Sequence, residues 1–274
     1  MRRLRLETRE GTWAADLERG RDLSIPLVFG GEQPNLFDAP AASALALRSA
    51  DFVGDVALGG SCNCSEYRLT PHCNGTHTEC VGHVTRQRVS IREVCAGGIE
   101  PALLLSVQPV SARGSGEDSD PVPQATDRVV TASAIQAAWQ RWRPTPVTAL
   151  VLRTLPNEKT KLTRRYGADG APPPFLTRQA AELLVDRGIE HVLLDVPSLD
   201  RTHDEGKLTG HRIFWGLPAG STDVTAAKRP AATVTELIYA PDDVPDGWYL
   251  LELQIAPFEA DAAPSRPVLY PVIA

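Results

Sequence analysis

Several features that would indicate a nucleic-acid or membrane protein are missing from this sequence. The 274-residue chain has a net charge of −6, so it lacks the excess of Lys and Arg found on nucleic-acid surfaces. No apolar run approaches the length of a transmembrane helix. The first ten residues are highly charged and no apolar segment follows them, which argues against a secretory signal. We therefore expect a cytoplasmic enzyme or binding protein with no nucleic-acid and no membrane partner.

An even set of cysteines is also missing. The five cysteines argue against a disulfide framework. Four of them crowd between residues 62 and 80, at Cys62, Cys64, Cys73 and Cys80. Their spacing is a poor match to zinc ribbons, so a structural zinc knot is the lesser alternative. Free, buried thiols are the expected state for most of them.

Length and composition are those of an ordinary globular protein. With 42% apolar and 23% charged residues, the chain can bury a full core as one large domain or as two small ones. Residues 1–21 are charged and weakly periodic, and we expect them to form a peripheral arm or a short helix. Residues 22–274 are expected to form the main domain.

A strand–helix–strand unit is predicted in the second half of the chain. Almost wholly apolar runs at 148–154 and 191–196 are typical of buried strands. Between them, 176–187 is amphipathic and ends at Gly188, which predicts a helix. Residues 148–196 therefore predict a right-handed crossover between parallel strands.

Other elements follow from periodicity and turn residues. Residues 131–142 predict a helix with Thr131 as its N-cap. The segments 113–124 and 157–174 are polar and rich in Gly, Ser, Asp or Pro, which predicts loops. Alternating or apolar patterns predict further strands at 22–29, 64–73, 84–94, 103–110, 232–239, 248–255 and 267–273.

The strongest candidate site lies between residues 67 and 83. Three of the chain's six histidines fall there, at His72, His77 and His83. On an extended strand, residues two apart point to the same face, so His77 and Glu79 could bind one cation together. The alternative is a polar turn with hydrogen-bonded histidines. The additional His83, four residues after Glu79, favours a site.

Four further residues have a possible role outside this window. Glu236 stands among apolar strand residues, where an unpaired carboxylate is costly, so it needs a nearby cation or metal. Asp195 ends a predicted strand, where α/β proteins place ligands. His211, taken alone, is expected on a helix surface or at a cap. Phe37 either forms part of a pocket wall or covers the core.

These residues resemble the metal-dependent cyclase and hydrolase family that includes bacterial kynurenine formamidases and isatin hydrolases. The family signature is His, three residues, His, one residue, Asp, three residues, His, with Gly-Thr before the second His. Residues 194–200 are similar to the family's Asp-x-Pro-Ser-x-Asp strand end, and 243–258 resemble its closing strand. The likeness spans roughly residues 22–273. In the signature register this chain has Cys73, Gly75, Thr76, His77, Glu79 and His83.

The resemblance implies an α/β fold of the swivelling β/β/α type, a single domain with a mixed sheet and flanking helices. It also implies one or two divalent cations, zinc first and manganese second. Two departures stand out, because Cys73 replaces the first His and Glu79 replaces the Asp. If the segment is extended, Cys73 shares the face of His77, and His72 is the alternative ligand. The implied metal ligands are Cys73, His77, Glu79, His211 and Glu236.

The resemblance further implies hydrolysis of a carbon–nitrogen bond in a small amide, such as an N-formyl group, a lactam or a cyclic imide. The cation would activate water, and His83 would transfer the proton to the leaving nitrogen. Phe37 falls where the formamidases have an aromatic substrate contact. The family tends to form homodimers or homotetramers, which is the expectation here.

Two rival functions stay open. The changes at Cys73 and Glu79 favour a non-catalytic member that retains the fold and binds a metal or ligand. The presence of His83, His211 and Glu236 argues against this alternative. The second rival is a cyclase or dehydratase that acts on a keto-acid or polyketide with the same residues.

Overall fold

The computed structural model describes residues 2–8, 11–95, 97–142, 145–167 and 172–273. The α-helices are α1 (Pro71–Asn74), α2 (Ile91–Val94), α3 (Ala132–Trp139), α4 (Arg178–Asp186) and α5 (Thr209–Trp215). The 3-10 helices are Leu17–Arg19, Val56–Leu58, Val81–His83, Lys159–Leu162 and Val224–Ala226. The strands are β1 (Arg3–Thr8), β2 (Gly11–Asp16), β3 (Arg21–Asp22), β4 (Asn35–Leu36), β5 (Ser43–Ala46), β6 (Arg48–Ser49), β7 (Phe52–Val53), β8 (Ser65–Arg68), β9 (His77–Glu79), β10 (Gly98–Val107), β11 (Val110–Ser111), β12 (Arg128–Val130), β13 (Ala149–Thr154), β14 (Arg165–Tyr166), β15 (Phe175–Leu176), β16 (His191–Leu194), β17 (Thr233–Glu236), β18 (Gly247–Ile255) and β19 (Ala262–Pro271).

A mixed sheet that closes on itself forms the centre of the protein. Its strands follow the order β18-β10-β13-β16-β17-β9-β19, and β19 pairs again with β18. The run from β10 to β17 is parallel, while β9, β18 and β19 pair antiparallel with their neighbours. Strand β3 extends the sheet beyond β19. The structure confirms the expected mixed α/β single domain and shows that its sheet is a barrel.

The apolar runs form a core on both faces of the barrel wall. In β13, Leu150 and Leu152 join a cluster with residues of α3, α4 and α5, whereas Ala149 and Val151 join a second cluster. This second cluster draws on β10, β16, β18 and β19. Side chains alternate across a strand, so one cluster is covered by helices and the other by strands of the barrel. Every residue of β13 is buried as a result.

The predicted strand–helix–strand unit is confirmed. Strands β13 and β16 are parallel neighbours, and α4 lies between them in sequence. Gly188 follows α4 with a φ of 71°, the left-handed conformation expected after a helix. The predicted helix at 131–142 is α3, and the hydroxyl of Thr131 accepts a hydrogen bond from the amide of Ala134 as its N-cap.

Three predictions for the first hundred residues are wrong. The N-terminal segment is not a peripheral arm, because β1 and β2 form a hairpin whose Trp13 and Ala15 are buried in the core, and only its end, Leu17–Arg19, is a short 3-10 helix. The segment 84–94 is a loop followed by α2 rather than a strand. Of 22–29, only Asp22 in β3 and a single bridge at Ser24 pair with other strands.

The segment 43–68 forms two small strand pairs, which we name the apolar arm. Strand β5 pairs with β8, and β6 pairs with β7. Large apolar side chains are exposed on it, at Leu45, Leu47, Val56, Leu58 and Tyr67. Among the described helices, none has the length and apolar character needed to cross a membrane.

Candidate metal centre

Strand β9 positions the centre, because it lies between β17 and β19. In the β9–β17 register, His77 stands opposite Glu236, which brings residues far apart in sequence onto neighbouring strands. The hydroxyl of Thr76 donates to the Leu237 carbonyl at 2.5 Å and accepts from the Ile25 amide at 2.8 Å. Thr76 therefore fixes the entry of β9 against the end of β17.

His77 and Glu79 point to the same side of β9 and are completely buried. The Nδ1 atom of His77 lies 3.0 Å from the carbonyl oxygen of Gly75. Since a carbonyl only accepts, Nδ1 holds the proton of that hydrogen bond and Nε2 presents its lone pair. That Nε2 lies 3.5 Å from Oε2 of Glu236.

His211 enters the centre from α5 and is oriented by Asp200. The Asp200 carboxylate accepts from the Gly210 amide at 2.6 Å, the His211 amide at 3.1 Å and His211 Nδ1 at 2.7 Å. His211 Nε2 then lies 2.7 Å from Oε1 of Glu79 and 3.5 Å from Oε1 of Glu236. A carboxylate that holds the outer nitrogen of a histidine is the common arrangement behind metal-binding imidazoles.

A second, more open group adjoins this buried one. His72 places Nδ1 at 3.0 Å from Oε2 of Glu79 and Nε2 at 3.0 Å from Oδ2 of Asp261. His83 Nδ1 lies 3.4 Å from the same Asp261 oxygen. The side chains of His72 and His83 are 26% and 27% exposed, whereas Glu79 is buried. The centre therefore opens to solvent on the side of these two rings.

The charges in the open group favour one another. Burial opposes the cationic form of His72, but the neighbouring carboxylates of Asp261 and Glu79 outweigh it and raise the pKa of His72 to about 10. Hydrogen bonds from His72 and His83 lower the pKa of Asp261 below its ordinary value. The open group is therefore a chain of alternating imidazole and carboxylate groups.

In the buried group, burial alone would raise the pKa of Glu79, but the charges of His83 and His211 hold it well below its ordinary value. Burial and the charge of Glu79 oppose ionisation of Glu236, yet its pKa is also lowered, by the neighbouring imidazoles of His211 and His77. Among the described residues, only histidines lie within ion-pair distance of either carboxylate. Two buried carboxylates that face each other need compensating positive charge.

The buried group fits a divalent cation. Four of its atoms are buried without a hydrogen-bond partner: His77 Nε2, Glu79 Oε1, Glu79 Oε2 and His211 Nε2. His211 Nε2 and Glu79 Oε1 lie only 2.7 Å apart, but the two groups are not oriented so that one donates a hydrogen bond to the other. Imidazole nitrogens and carboxylate oxygens are ligands of zinc and of manganese. The unsatisfied atoms therefore form a donor set that a cation would complete.

The described residues contain three overlapping sets of potential metal ligands. Within each set, the ligand atoms lie within 4.8 Å of one another. Glu79 belongs to two of them, with one oxygen towards His211 and the other towards His72. Glu79 would therefore offer a carboxylate oxygen to either set. The sets are His72, His77 and Glu79; Glu79, His211 and Glu236; and His72, His83 and Asp261.

The structure thus brings together His77, Glu79, His83, His211 and Glu236 of the predicted site. Cys73 is in none of the three sets, and its side chain joins an apolar cluster with Leu36 and Tyr166. Cys73 would share the face of His77 only in an extended segment, but Cys73 and His72 both lie in α1, so the prediction of Cys73 as the ligand is wrong in its premise. The geometry favours His72.

The predicted contact residue Phe37 directly follows β4, a strand that pairs with β14 and contacts α1. Its side chain is 58% exposed, so it does not cover the core, and the substrate contact stays a prediction. All five cysteines are free thiols, and Cys73, Cys80 and Cys95 are buried, which confirms the expectation for most of them; Cys62 and Cys64 are exposed.

Asp195, at the predicted ligand-binding strand end, has a structural role instead. Its carboxylate is buried and accepts from Lys161 Nζ at 2.7 Å, from the Thr154 amide at 2.8 Å and from the Thr154 hydroxyl at 2.8 Å. It ties the ends of β13 and β16 to the following loop. The same segment supplies the amide of Leu199, which donates to Glu236 Oε1 at 2.8 Å.

Sequence reasoning missed two acidic residues. The sequence pattern includes Asp200 only as part of the strand end, although this residue orients His211. The second is Asp261. It precedes β19, and the hydrogen bond from the Cys80 amide to the Asp261 carbonyl, at 3.0 Å, places it beside the motif. The only local signal is an acidic residue directly before the last strand, β19.

Known structures share this architecture. An isatin hydrolase bound to the product analogue thioisatinate aligns with a TM-score of 0.59 at 14% identity, over 93% of each chain. Isatin hydrolase A from Labrenzia aggregata, bound to benzyl benzoate, gives 0.57 at 15% identity, over 92% of this chain and 93% of that one.

A predicted metal-dependent hydrolase from Bacillus stearothermophilus gives a TM-score of 0.52 at 16% identity, over 92% of this chain and 98% of that one. No curated protein sequence matches the chain. A family model described as "Putative cyclase" matches residues 21–201. Since this match covers more than half of the sequence, the chain belongs to the cyclase family.

Proposed function

We propose that this protein is a metal-dependent hydrolase of a small amide, acting on the C–N bond of an N-formyl group, a lactam or a cyclic imide. One observation supports it above all. A buried cluster of unpartnered imidazole and carboxylate atoms, around Glu79, adjoins a partly exposed histidine, His83. A cation site can activate water and a carbonyl group, and a neighbouring histidine can take up and release a proton, which together suit amide hydrolysis.

The proposed ligands are His77, Glu79, His211 and Glu236, with His72 as the fifth. A divalent cation held there supplies Lewis-acid activation of the amide carbonyl and of water. Because this set contains nitrogen and oxygen donors, manganese becomes a stronger alternative to zinc than a set with the Cys73 thiolate would allow. Asp200 holds the ring of His211, and the Leu199 amide holds the carboxylate of Glu236.

His83 is the proposed proton carrier. Its ring is 27% exposed, and Nδ1 lies 3.4 Å from Asp261 and 3.8 Å from Glu79. These carboxylates orient Nδ1 inward, which leaves Nε2 for the substrate. In the reaction, His83 would take a proton from water as the new C–O bond forms and donate it to the departing nitrogen as the C–N bond breaks.

The test is a substrate screen with metal-loaded protein. N-formyl arylamines, lactams, cyclic imides and esters are incubated with the protein containing Zn²⁺ or Mn²⁺, and amine or acid release is measured. We expect turnover of at least one amide class and its loss in His83→Gln. If no amide is hydrolysed with either metal, the hydrolase proposal fails and a non-catalytic binding protein becomes the better account.

A cyclase or dehydratase is the second candidate. A structure described as a potential metal-dependent hydrolase with cyclase activity matches this chain with a TM-score of 0.56 at 15% identity, over 92% of this chain and 97% of that one. Ring closure and ring opening use the same carbonyl activation and the same proton transfer. Incubation with an open-chain keto-acid, followed by mass spectrometry for loss of water, separates the two functions.

We also propose that the protein forms a homodimer or homotetramer in the cytoplasm. The apolar arm exposes several large side chains, including Leu45 at 69% and Leu58 at 57%. Several large apolar side chains exposed on one segment are typical of an interface. Light scattering should give twice or four times the chain mass, and Leu45→Ser with Leu58→Ser should reduce it. A monomer mass for the wild type would contradict this proposal.

A further inference from the structure

A cavity of about 600 Å³ adjoins the open side of the metal centre. Gly82 and Asp261 line it, and Asp261 is the residue that contacts both His72 and His83. Asp261 therefore joins the cavity to the two partly exposed rings of the centre. A substrate held at these rings would have the other walls of the cavity next to its non-reacting part.

Two arginines line the same cavity, Arg86 and Arg88. Both side chains are exposed, and neither guanidinium has a hydrogen-bond or ion-pair partner among the described residues. Most other arginines near the barrel are engaged; Arg153, for example, bonds to Asp246 at 2.9 Å. Two unengaged guanidinium groups in one cavity are available to a ligand.

The loop that bears these arginines is anchored. A Cβ on Gly82 would lie 2.5 Å from the Val89 carbonyl, so the two ends of the loop touch where only glycine fits. The Cys80 thiol donates to the same Val89 carbonyl at 3.4 Å. The Arg86 amide donates to the Thr222 carbonyl at 2.7 Å. The arginines therefore extend from a fixed wall of the cavity.

Three carboxylates also line the cavity, and two of them are already paired. Asp261 is bonded to the histidines, and Glu259 forms an ion pair with Arg92. Glu93 is the third, and it has no partner among the described residues. Arg86 and Arg88 therefore line the cavity as two guanidinium groups that no described side chain neutralises, against one such carboxylate, Glu93.

We infer that Arg86 and Arg88 bind a carboxylate of the substrate that takes no part in the reaction, so that the preferred substrate is an acidic amide. Guanidinium groups bind planar carboxylates through paired, charge-assisted hydrogen bonds, which gives both affinity and orientation. Asp261, which lines the same cavity, links this wall to His83. The inference rests on the proposed hydrolase function and adds the class of substrate.

The test compares Arg86→Gln/Arg88→Gln with Arg113→Gln as the matched control. Arg113 is an exposed arginine that lines a different cavity, so its replacement removes charge without changing this wall. Two readouts are measured on the full-length protein. The first is kcat/KM of metal-loaded protein for an N-formyl arylamine with a ring carboxylate and for its neutral counterpart. The second is calorimetric binding of benzoate, and in parallel of inorganic phosphate, to protein stripped of metal by dialysis.

We expect the double variant to lower the preference for the carboxylated amide, and the affinity for benzoate, by about tenfold, with Arg113→Gln within about twofold of the wild type. Equal losses on both amides, or equal benzoate affinity in the double variant and the control, would overturn the inference. Tighter binding of phosphate than of benzoate would overturn the carboxylate assignment. If benzoate binding depends on the arginines but no amide is hydrolysed, the hydrolase proposal fails and the anion site stands.

Discussion

Replacement of Asp200 by Asn tests whether the Asp200 carboxylate orients the proposed metal ligand His211. Asp200 accepts three hydrogen bonds, from the Gly210 amide, the His211 amide and His211 Nδ1, at 2.6, 3.1 and 2.7 Å. The Asn side chain has nearly the same shape, but one of its two terminal atoms is a donor. At least one N–H of Gly210 or His211 would then face another N–H.

The expected effect is on metal affinity. Loss of a carboxylate that orients a metal-binding histidine typically lowers affinity by about 10- to 100-fold, or about 1.4–2.8 kcal/mol. The His211 ring would lose both its fixed tautomer and its orientation towards Glu79, which lies 2.7 Å away. We expect the dissociation constant for Zn²⁺ or Mn²⁺ to rise by this factor in Asp200→Asn, measured by competition with a chromogenic chelator.

Asp195→Asn is the matched control. Asp195 is also a buried carboxylate on the segment after β16, but its partners are Lys161 and Thr154 rather than a member of the centre. Its replacement leaves the buried Lys161 ammonium without its counter-charge, so we expect it to lower the free energy of unfolding by about 3 kcal/mol or more. Metal affinity of the folded protein should change little.

Either of two results would contradict the proposed role of Asp200. If Asp200→Asn binds metal within about twofold of the wild type, Asp200 does not orient a ligand. If Asp195→Asn weakens metal binding as much as Asp200→Asn, the effect comes from general destabilisation of the loop. Thermal melting in denaturant-free buffer gives the stability of each variant alongside the metal titration.

Three further predictions follow from the geometry. His72→Ala should lower the bound metal per chain, measured by plasma mass spectrometry, more than Cys73→Ala does; the reverse would restore the thiol as ligand. His83→Gln should lower kcat by about 10²–10⁴-fold with metal content retained; loss of metal with activity would make His83 a ligand instead. Burial lowers the pKa of His191, whose Nδ1 lies 2.8 Å from the Thr233 hydroxyl, below its ordinary 6.5. The unfolded state therefore binds more protons as pH falls below about 6.5, and stability is lost towards the lower folded pKa. His191→Asn should flatten the urea-unfolding free energy between pH 7 and pH 5; an unchanged slope would contradict this.

The parts of the fold that sequence predicts well are those fixed by burial over a long stretch. In β13 and β16, consecutive apolar residues have no stable place except inside the protein, and a helix with clear caps joins them. Closure of the sheet is different. It depends on the pairing of β18 with both β10 and β19, and no local pattern specifies which of several strands meet.

Local signals also account for the main error in the site. The alternation of residues 64–73 predicted a strand, and this placed Cys73 on the face of His77. Thr70 followed by Pro71 is a helix-start signal, with an N-cap residue before proline at the first helical position. This signal determines the structure of the segment, and it places His72 at 3.0 Å from Glu79.

The two carboxylates that sequence reasoning did not assign depend on long-range contacts. Asp261 reaches the centre because β19 pairs with β9. In this pairing Ala262 stands opposite Glu79, which lies 183 residues earlier in the sequence. Asp200 reaches His211 because the loop after β16 folds onto the start of α5. In contrast, His77 and Glu79 needed only the alternation of one short strand, which is why their shared face was predicted.

Anomalous scattering from crystals of the metal-loaded protein tests the central claim most directly. Data collected on both sides of the zinc or manganese absorption edge locate the cation without assumptions about its ligands. We predict a peak between Nε2 of His77, Nε2 of His211 and the carboxylates of Glu79 and Glu236. A fully loaded crystal with its anomalous peak elsewhere, or with Cys73 and without Glu79 in the coordination sphere, would contradict the account.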